Sequence, residues 1–436
     1  MNNKKAVVIG GGLAGVEAAK QLSKRGIKVT LYEMKPKKFS PAHKSEKLAE
    51  LVCSNSLKAE RVGSAAGLLK AEMSLFGSVC VEAAYKAKVP AGGALAVDRD
   101  IFSEEITKAI ENDENITLIR EEITEIPEDG VVVIAAGPLV SDALAQKIGE
   151  LCGKDFLSFY DAAAPIVTAD SIDMENAFTQ SRYDRGGEDD YINCPLDKAQ
   201  YEEFYEELVN AEGADLHSFD KRKDVYEGCM PIEVLASRGK DAMRYGPLKP
   251  VGLTNPKTGH RPWANLQLRK ENKDGTMYNL VGFQTNLKFP EQKRVFSMFP
   301  ALKNAEFVRY GVMHRNTFLN SPGLLNYDFS MKKEPRIYFA GQISGVEGYM
   351  ESASSGILAG YNAARRILGE DPILLPKITM MGALSQYISD ETVKNFQPMG
   401  AAFGIIDPLE EKIRDKKERY EALARRSLDY FKTIKI

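Results

Sequence analysis

Near its start the chain sets a strand, a glycine turn, a helix and a second strand in immediate succession. Ala6-Val7-Val8-Ile9 reads as a buried strand and runs into Gly10-Gly11-Gly12-Leu13-Ala14-Gly15. The stretch from Val16 to Arg25 reads as helix, and Lys28 to Tyr32 as a second strand ending at Glu33. Gly10 permits the tight turn, Gly12 lets the backbone approach a pyrophosphate, and Gly15 lets the helix pack on the strand. The helix N-terminus then faces phosphates, and Glu33 is placed to accept the hydroxyls of an adenosine ribose. The unit predicts a Rossmann-type α/β fold with a dinucleotide site formed by Gly10, Gly11, Gly12, Leu13, Ala14, Gly15 and Glu33.

The far end of the chain supplies a matching half. Arg336 to Ala340 is a short apolar strand followed by Gly341-Gln342-Ile343-Ser344-Gly345-Val346-Glu347-Gly348-Tyr349. Met350 to Leu368 then has a helical pattern, with Gly356 and Gly360 allowing close packing. A late strand, glycine turn and helix returning to an N-terminal Rossmann unit resembles FAD-dependent proteins of the glutathione-reductase type. The resemblance implies that the second motif aims a helix N-terminus at the flavin. Many such proteins have Asp after the first glycine of this motif, where this chain has Gln342. Val131 to Pro138 reads as a parallel core strand ending in a small-residue turn at Gly137, as flavoproteins have near the adenosine. FAD is the expected cofactor, with Gly137, Gly341, Gln342 and Tyr349 joining the first set of contacts.

These motifs divide the 436 residues. Residues 1–182 are expected to form the front of a discontinuous FAD domain and 325–436 its return. Residues 183–324 read as an α+β insertion. Within it, Trp263 to Glu271 and Thr276 to Phe289 alternate like strands around Asn272-Lys273-Asp274-Gly275, a hairpin signal. Ala199 to Ala211 and Ile232 to Ser237 look helical, and a charged helix from Pro408 to Lys432 closes the chain. In that last helix Glu410-Glu411 come early and Arg425-Arg426 late, the order a helix dipole favours. No second G-x-G-x-x-G is present, so a nicotinamide would visit the flavin transiently.

Charge and cysteine usage narrow the class. The net charge is −3, but residues 220–315 hold 18 Lys and Arg against 9 Asp and Glu. Such segregation points to a basic face for a polyanion, to which Lys288, Lys293, Arg294, His314 and Arg315 belong as the expected contacts. No apolar run approaches the ~18 residues of a bilayer span. The nucleotide strand begins at once after Met-Asn-Asn-Lys-Lys, and the five cysteines are scattered, so a cytoplasmic protein with reduced thiols is expected. The four histidines lack ligand spacing and no C-x-x-C occurs, so no metal site is expected.

Two cysteines have company. Cys53 precedes Ser54-Asn55-Ser56, which reads as cap chemistry for a following helix, with Lys58 and Arg61 one or two turns on. Cys229 precedes Met230-Pro231, and proline suits a first helical position. Both settings would activate a thiol. Cys80, Cys152 and Cys194 lack them and read as packing residues.

Gly10 to Gly15 with Glu33, Cys53-Ser54-Asn55-Ser56-Leu57, Gly228 to Gly239 and Arg244 to Leu253 together resemble the folate- and FAD-dependent tRNA (uracil-5-)-methyltransferases. So do Val281 to Asn286, His314 to Phe318 and Gly341 to Gly356. The resemblance covers nearly the whole chain; relatives usually have Ala at Gly11 and Ser at Val16. It implies methylation of uracil C5 in RNA, most simply the T-loop uridine at tRNA position 54, with 5,10-methylenetetrahydrofolate as donor. NAD(P)H-reduced FAD would carry and reduce the one-carbon unit. Uracil C5 becomes nucleophilic once a thiolate adds at C6, and a base must then take the C5 proton. Cys53 and Cys229 fit those roles, with Cys53 preferred as nucleophile and Tyr349 placed over the pterin. No obligate protein partner is implied. Four alternatives remain open: a ribosomal RNA methyltransferase of the same family, an NAD(P)H-dependent flavin disulfide oxidoreductase using the two cysteines, a non-catalytic RNA-binding flavoprotein, and a wobble-uridine flavoprotein family that shares the Gly-Gln-Ile-x-Gly segment. Members of the last carry a long helical C-terminal domain for a GTPase partner, and only about 70 residues follow the flavin helix here.

Overall fold

A computed structural model describes residues 4–153, 156–162, 164–184, 187, 190–214, 230–311, 313–393 and 396–436. The first sheet has five parallel strands in the order Ile337–Phe339, Val131–Ile134, Lys5–Ile9, Lys28–Tyr32, Ile116–Ile119. Val131 to Ile134 and Ile337 to Phe339 are buried at every position, which is why these strands read as continuous apolar runs. The late strand Ile337–Phe339 pairs beside Val131–Ile134, so the two ends of the chain share one sheet. The helix Leu13–Ser23 covers it, and the glycine helix Tyr349–Leu368 lies directly on that helix. A Cβ on Gly356 would stand 2.1 Å from the Ala14 carbonyl oxygen, and one on Gly360 2.5 Å from the Ala18 Cα. The two backbones therefore touch where side chains would hold them apart.

The second sheet is antiparallel, in the order Phe178–Thr179, Tyr191–Leu196, Ala264–Lys270, Met277–Leu280, Ile166–Thr168, Phe307–Arg309. The expected hairpin is present between Ala264–Lys270 and Met277–Leu280. The helices Lys198–Val209 and Phe289–Phe296 contribute to a separate core in which Phe204, Phe283, Phe296 and Phe299 pack edge to face, with centroids as close as 4.9 Å. The outgoing strand Phe156–Ala162 and the returning strand Met313–Leu319 pair antiparallel. The return docks at the nucleotide domain, where the Thr317 N–H donates to the Pro138 carbonyl at 3.1 Å.

Two expectations are corrected. The second sheet already includes Ile166–Thr168 and Phe178–Thr179, so the chain leaves the nucleotide sheet well before residue 182. The last helix is Lys416–Phe431, capped by the Asp415 side chain, so Glu410 and Glu411 lie outside it and its last turn holds no arginine. The dipole argument built on those residues does not apply.

Candidate active site

The glycine turn opens a cleft with about 1110 Å³ of empty space, lined at one end by Glu33, Lys35 and His43 and at the other by Val52, Gln342, Tyr349 and Ser352. Gly10 to Ala14, Gly137 and Gly341 line the stretch between. Gly12 is the N-cap of Leu13–Ser23 and has no side chain to cap the first turn, so that turn's N–H groups face the cleft. A Cβ on Gly12 would meet nothing within 4 Å: it would project into the space a pyrophosphate needs. A Cβ on Gly15 would stand 1.8 Å from the Gly10 carbonyl oxygen, so that glycine is demanded by packing. These features fit a dinucleotide laid along the cleft.

Glu33 is buried at the end of its strand, and its two oxygens accept from the Gly11 N–H and the Lys35 N–H, each at 2.9 Å. It therefore shapes the turn, with remaining lone pairs for a ribose. Gln342 donates to Glu347, and the Gly341 N–H donates to Ser355 Oγ at 2.7 Å, fixing the second glycine turn on the glycine helix. His43, which the sequence reading passed over, pairs with Ser40 Oγ at 2.6 Å, and burial with the nearby Lys35 charge pushes its pKa down.

Tyr349 opens the glycine helix and lines the cleft, but its hydroxyl is committed. It accepts from the N–H groups of Cys53 at 2.8 Å and Ser54 at 3.3 Å, and lies 3.0 Å from Cys53 Sγ. With both N–H groups donating to the oxygen, the one phenolic proton is left for the sulfur. Burial holds the Tyr349 pKa well above 10, and the neighbouring Cys53 charge adds to this, so the hydroxyl remains a donor.

Cys53 is not at the start of a helix. Ser56–Ala59 is a strand paired with Ala94–Val97, and the next helix, Ala65–Leu75, is capped by Ser64. The Asn55 amide donates to the carbonyls of Val97 and Lys270 instead of capping anything. Lys58 is ion-paired with the buried Glu351 at 2.6 Å. The positive surroundings come from three arginines remote in sequence. Arg309 donates to the Val52 carbonyl and interacts electrostatically with Cys53 and Tyr349. Arg99 donates to the Leu51 carbonyl at 2.7 Å and pairs with Glu271. Arg269 donates to Asn55 Oδ1 and Ser54 Oγ, each at 3.0 Å. Burial pushes the Glu271 carboxyl up, while Arg99, Arg269 and Arg309 pull it down. Burial prevails and leaves that carboxyl raised, and with three guanidiniums around a single carboxyl the cluster is net positive beside the Cys53 loop in either of its charge states. Such a setting favours a thiolate. None of the three arginines carries a local signal that marks it in the sequence.

The other expected contacts fall less simply. Cys229 lies outside the described residues, and for His314 and Arg315, on Met313–Leu319, the description stops at the backbone. Lys288 is paired with Glu212 at 2.8 Å, and Arg294 with Glu207 and Glu291. The basic and acidic segments thus meet in space and cancel much of the face expected there; Lys293 is exposed. Cys80, Cys152 and Cys194 are buried, and burial pushes the Cys80 and Cys194 thiols up, consistent with packing roles.

Comparison with known proteins follows this geometry. The family described as Glucose inhibited division protein A matches residues 5–371. The chain is 59% identical over 425 residues to the methylenetetrahydrofolate--tRNA-(uracil-5-)-methyltransferase TrmFO of Acetivibrio thermocellus, covering 98% of this chain and 97% of that one. It is 56% identical over 428 residues to the protein of the same description in Ligilactobacillus salivarius, covering 98% of each. Among solved structures, Aquifex aeolicus GidA matches with a TM-score of 0.69 at 17% identity, covering 98% of this chain and 73% of that one.

Proposed function

The chain belongs to the methylenetetrahydrofolate--tRNA-(uracil-5-)-methyltransferase family, and from that membership we propose how its residues divide the reaction. It is an FAD-dependent enzyme that methylates C5 of a tRNA uracil with the one-carbon unit of methylenetetrahydrofolate. We take the target to be the T-loop uridine at position 54, the reductant to be NAD(P)H and the compartment to be the cytoplasm. No helix among the described residues is long and apolar enough to cross a membrane. Bound FAD supplies the carrier and reductant for the one-carbon unit.

The residues of the chain do the rest. Gly12 and the first turn of Leu13–Ser23 hold the pyrophosphate, and Glu33 orients the adenosine end. Cys53, as thiolate, adds to uracil C6, which places an electron pair on C5. C5 bonds to the one-carbon unit, its proton passes to a base, for which Cys229 is the candidate, and the bond from that carbon to its carrier breaks to leave an exocyclic methylene on the uracil. A hydride, which reduced flavin would supply, then makes it methyl as the sulfur departs and the C5–C6 double bond returns. Tyr349 donates a hydrogen bond to Cys53 Sγ, while Arg309 and Arg99 hold the carbonyls of Val52 and Leu51 that precede it.

The observation that carries this reading is the 3.0 Å contact between Cys53 Sγ and a half-buried phenol that lines the cofactor cleft. Its test is label transfer. Carbon-labelled methylenetetrahydrofolate should label uracil C5, and S-adenosylmethionine should not. Cys53→Ala and Cys229→Ala should each abolish methylation while NAD(P)H still reduces the flavin. Absence of label in RNA, with disulfide reduction lost in both variants, would instead establish the oxidoreductase reading.

A further inference from the structure

The end of the second sheet remote from Cys53 carries an aromatic and cationic cluster that this chemistry does not use. Trp263 stands just before the strand Ala264–Lys270 and is 38% exposed. The Arg244 guanidinium lies 3.9 Å from its ring centroid. That guanidinium is held by bonds to the Trp263 carbonyl at 3.0 Å and to Asp241 Oδ1 at 2.7 Å. Lys198 Nζ lies 5.6 Å from the same ring. Tyr245, next to Arg244 at the end of the short helix Ala242–Tyr245, is 86% exposed. A phenol this exposed adds little to folding, so packing does not account for it. The groove that Trp263 lines holds four cations, Lys198, Arg244, Lys257 and Arg261, against two carboxylates, Glu175 and Asp197.

Strand geometry relates this cluster to the reacting thiol. Trp263 and Arg269 are six residues apart, at opposite ends of this strand, a span of at most roughly 20 Å at ~3.3 Å per residue. Arg269 bonds Ser54 and Asn55, the residues that follow Cys53. A nucleic acid strand stacked at ~3.4 Å per nucleotide covers that span in about six steps. An excess of cations beside exposed rings matches a ligand with phosphates and π-faces at regular spacing. We propose that Tyr245, which follows Arg244 in the chain, is a stacking platform for a nucleotide of the RNA substrate about six steps from the uracil at Cys53. The proposal rests on the tRNA reading above and adds to it a recognition surface distant from the chemistry.

The test uses FAD-loaded protein, an unmodified tRNA transcript, and a trimmed hairpin that ends within about four nucleotides of the target uridine. Tyr245→Ala should weaken transcript binding roughly 5- to 150-fold, the range for losing one base–aromatic stack. Tyr245→Phe, which keeps the ring, should bind within about two-fold of the parent. The trimmed hairpin cannot reach the platform, so Tyr245→Ala should leave its affinity unchanged. Flavin absorbance and NAD(P)H-driven flavin reduction should be the same in all three proteins. Parent-like transcript binding by Tyr245→Ala, as expected if the cluster docks a protein, overturns the platform, and so does an equal loss on the hairpin. A parent protein that keeps FAD yet binds no tRNA overturns the tRNA reading itself and the platform with it.

Discussion

Removing a single oxygen, in Tyr349→Phe, separates a tyrosine that activates Cys53 from one that only packs. The Tyr349 hydroxyl accepts two backbone N–H bonds, at 2.8 and 3.3 Å, and donates a hydrogen bond to a sulfur 3.0 Å away. Because burial holds its pKa well above 10, it donates across the whole working pH range. A hydrogen bond to a charged group is worth ~1.5–3 kcal/mol, and each ~1.4 kcal/mol is tenfold in the equilibrium. The thiolate fraction of Cys53 should therefore fall roughly 10- to 150-fold at a fixed pH below its titration. The assay is the rate of Cys53 alkylation by iodoacetamide as a function of pH, read by peptide mass spectrometry on FAD-loaded protein. Its midpoint should move up by about one to two pH units, and methylation should slow in proportion. The two orphaned N–H groups also cost stability, about 1–3 kcal/mol each if no water reaches them. An unmoved midpoint with methylation within about two-fold of the parent would refute the activation argument.

Three further perturbations probe the scaffold. Glu33→Ala removes the acceptor of two buried N–H bonds, each worth ~1.5–3 kcal/mol, so FAD should be lost on gel filtration; full flavin retention would contradict it. Gly356→Ala drives a Cβ to 2.1 Å from the Ala14 carbonyl and should cost about 1–3 kcal/mol by over-packing, seen as a lower Tm and weaker FAD retention; an unchanged Tm would show that the two helices have slack. Burial pushes the Glu72 carboxyl up to about 7, against hydrogen bonds from Ser427, Met381 and Met380 that favour its charged form. The folded state then favours the protonated acid. Its contribution is full below about pH 4.5 and lost as the pH rises through 7, about 3 kcal/mol in all. Denaturant unfolding should show the parent losing that much relative to Glu72→Gln across the interval, and a pH-independent difference would show that the hydrogen bonds dominate.

The cofactor cleft was legible in the sequence because its signals are local. Gly10, Gly12 and Gly15 sit within six residues of one another, and Gly356 and Gly360 mark a helix that must touch another backbone. The surroundings of Cys53 were not legible, because they are assembled across the chain. Tyr349 is 296 positions away and Arg309 is 257 positions from the Val52 it holds. Ser54, Asn55 and Ser56 favour a helix cap in isolation, but the Asn55 amide finds two carbonyls and Arg269 finds both Ser54 and Asn55, so long-range bonds override the local preference. The charge count located the basic face only coarsely for a related reason. A window along the chain separates Arg294 from Glu207, and the fold brings them together.

The parallel sheet that carries the cofactor takes an edge strand, Ile337–Phe339, from beyond the whole of the second sheet. A ribosome adding ~5–20 residues per second reaches that strand roughly 15–60 s after it has made the glycine turn at residue 10. Meanwhile the antiparallel sheet, whose core is complete by Phe307, has everything it needs to close. The nascent chain thus folds its inserted body before the body that surrounds it, and the first glycine turn waits without its helical partner. A chain terminated at Glu334 and released from the ribosome should protect the second core from protease yet capture no FAD. FAD capture is therefore a late event, licensed by the arrival of Tyr349–Leu368, and a cell short of flavin would accumulate chains already folded in the middle and open at both ends.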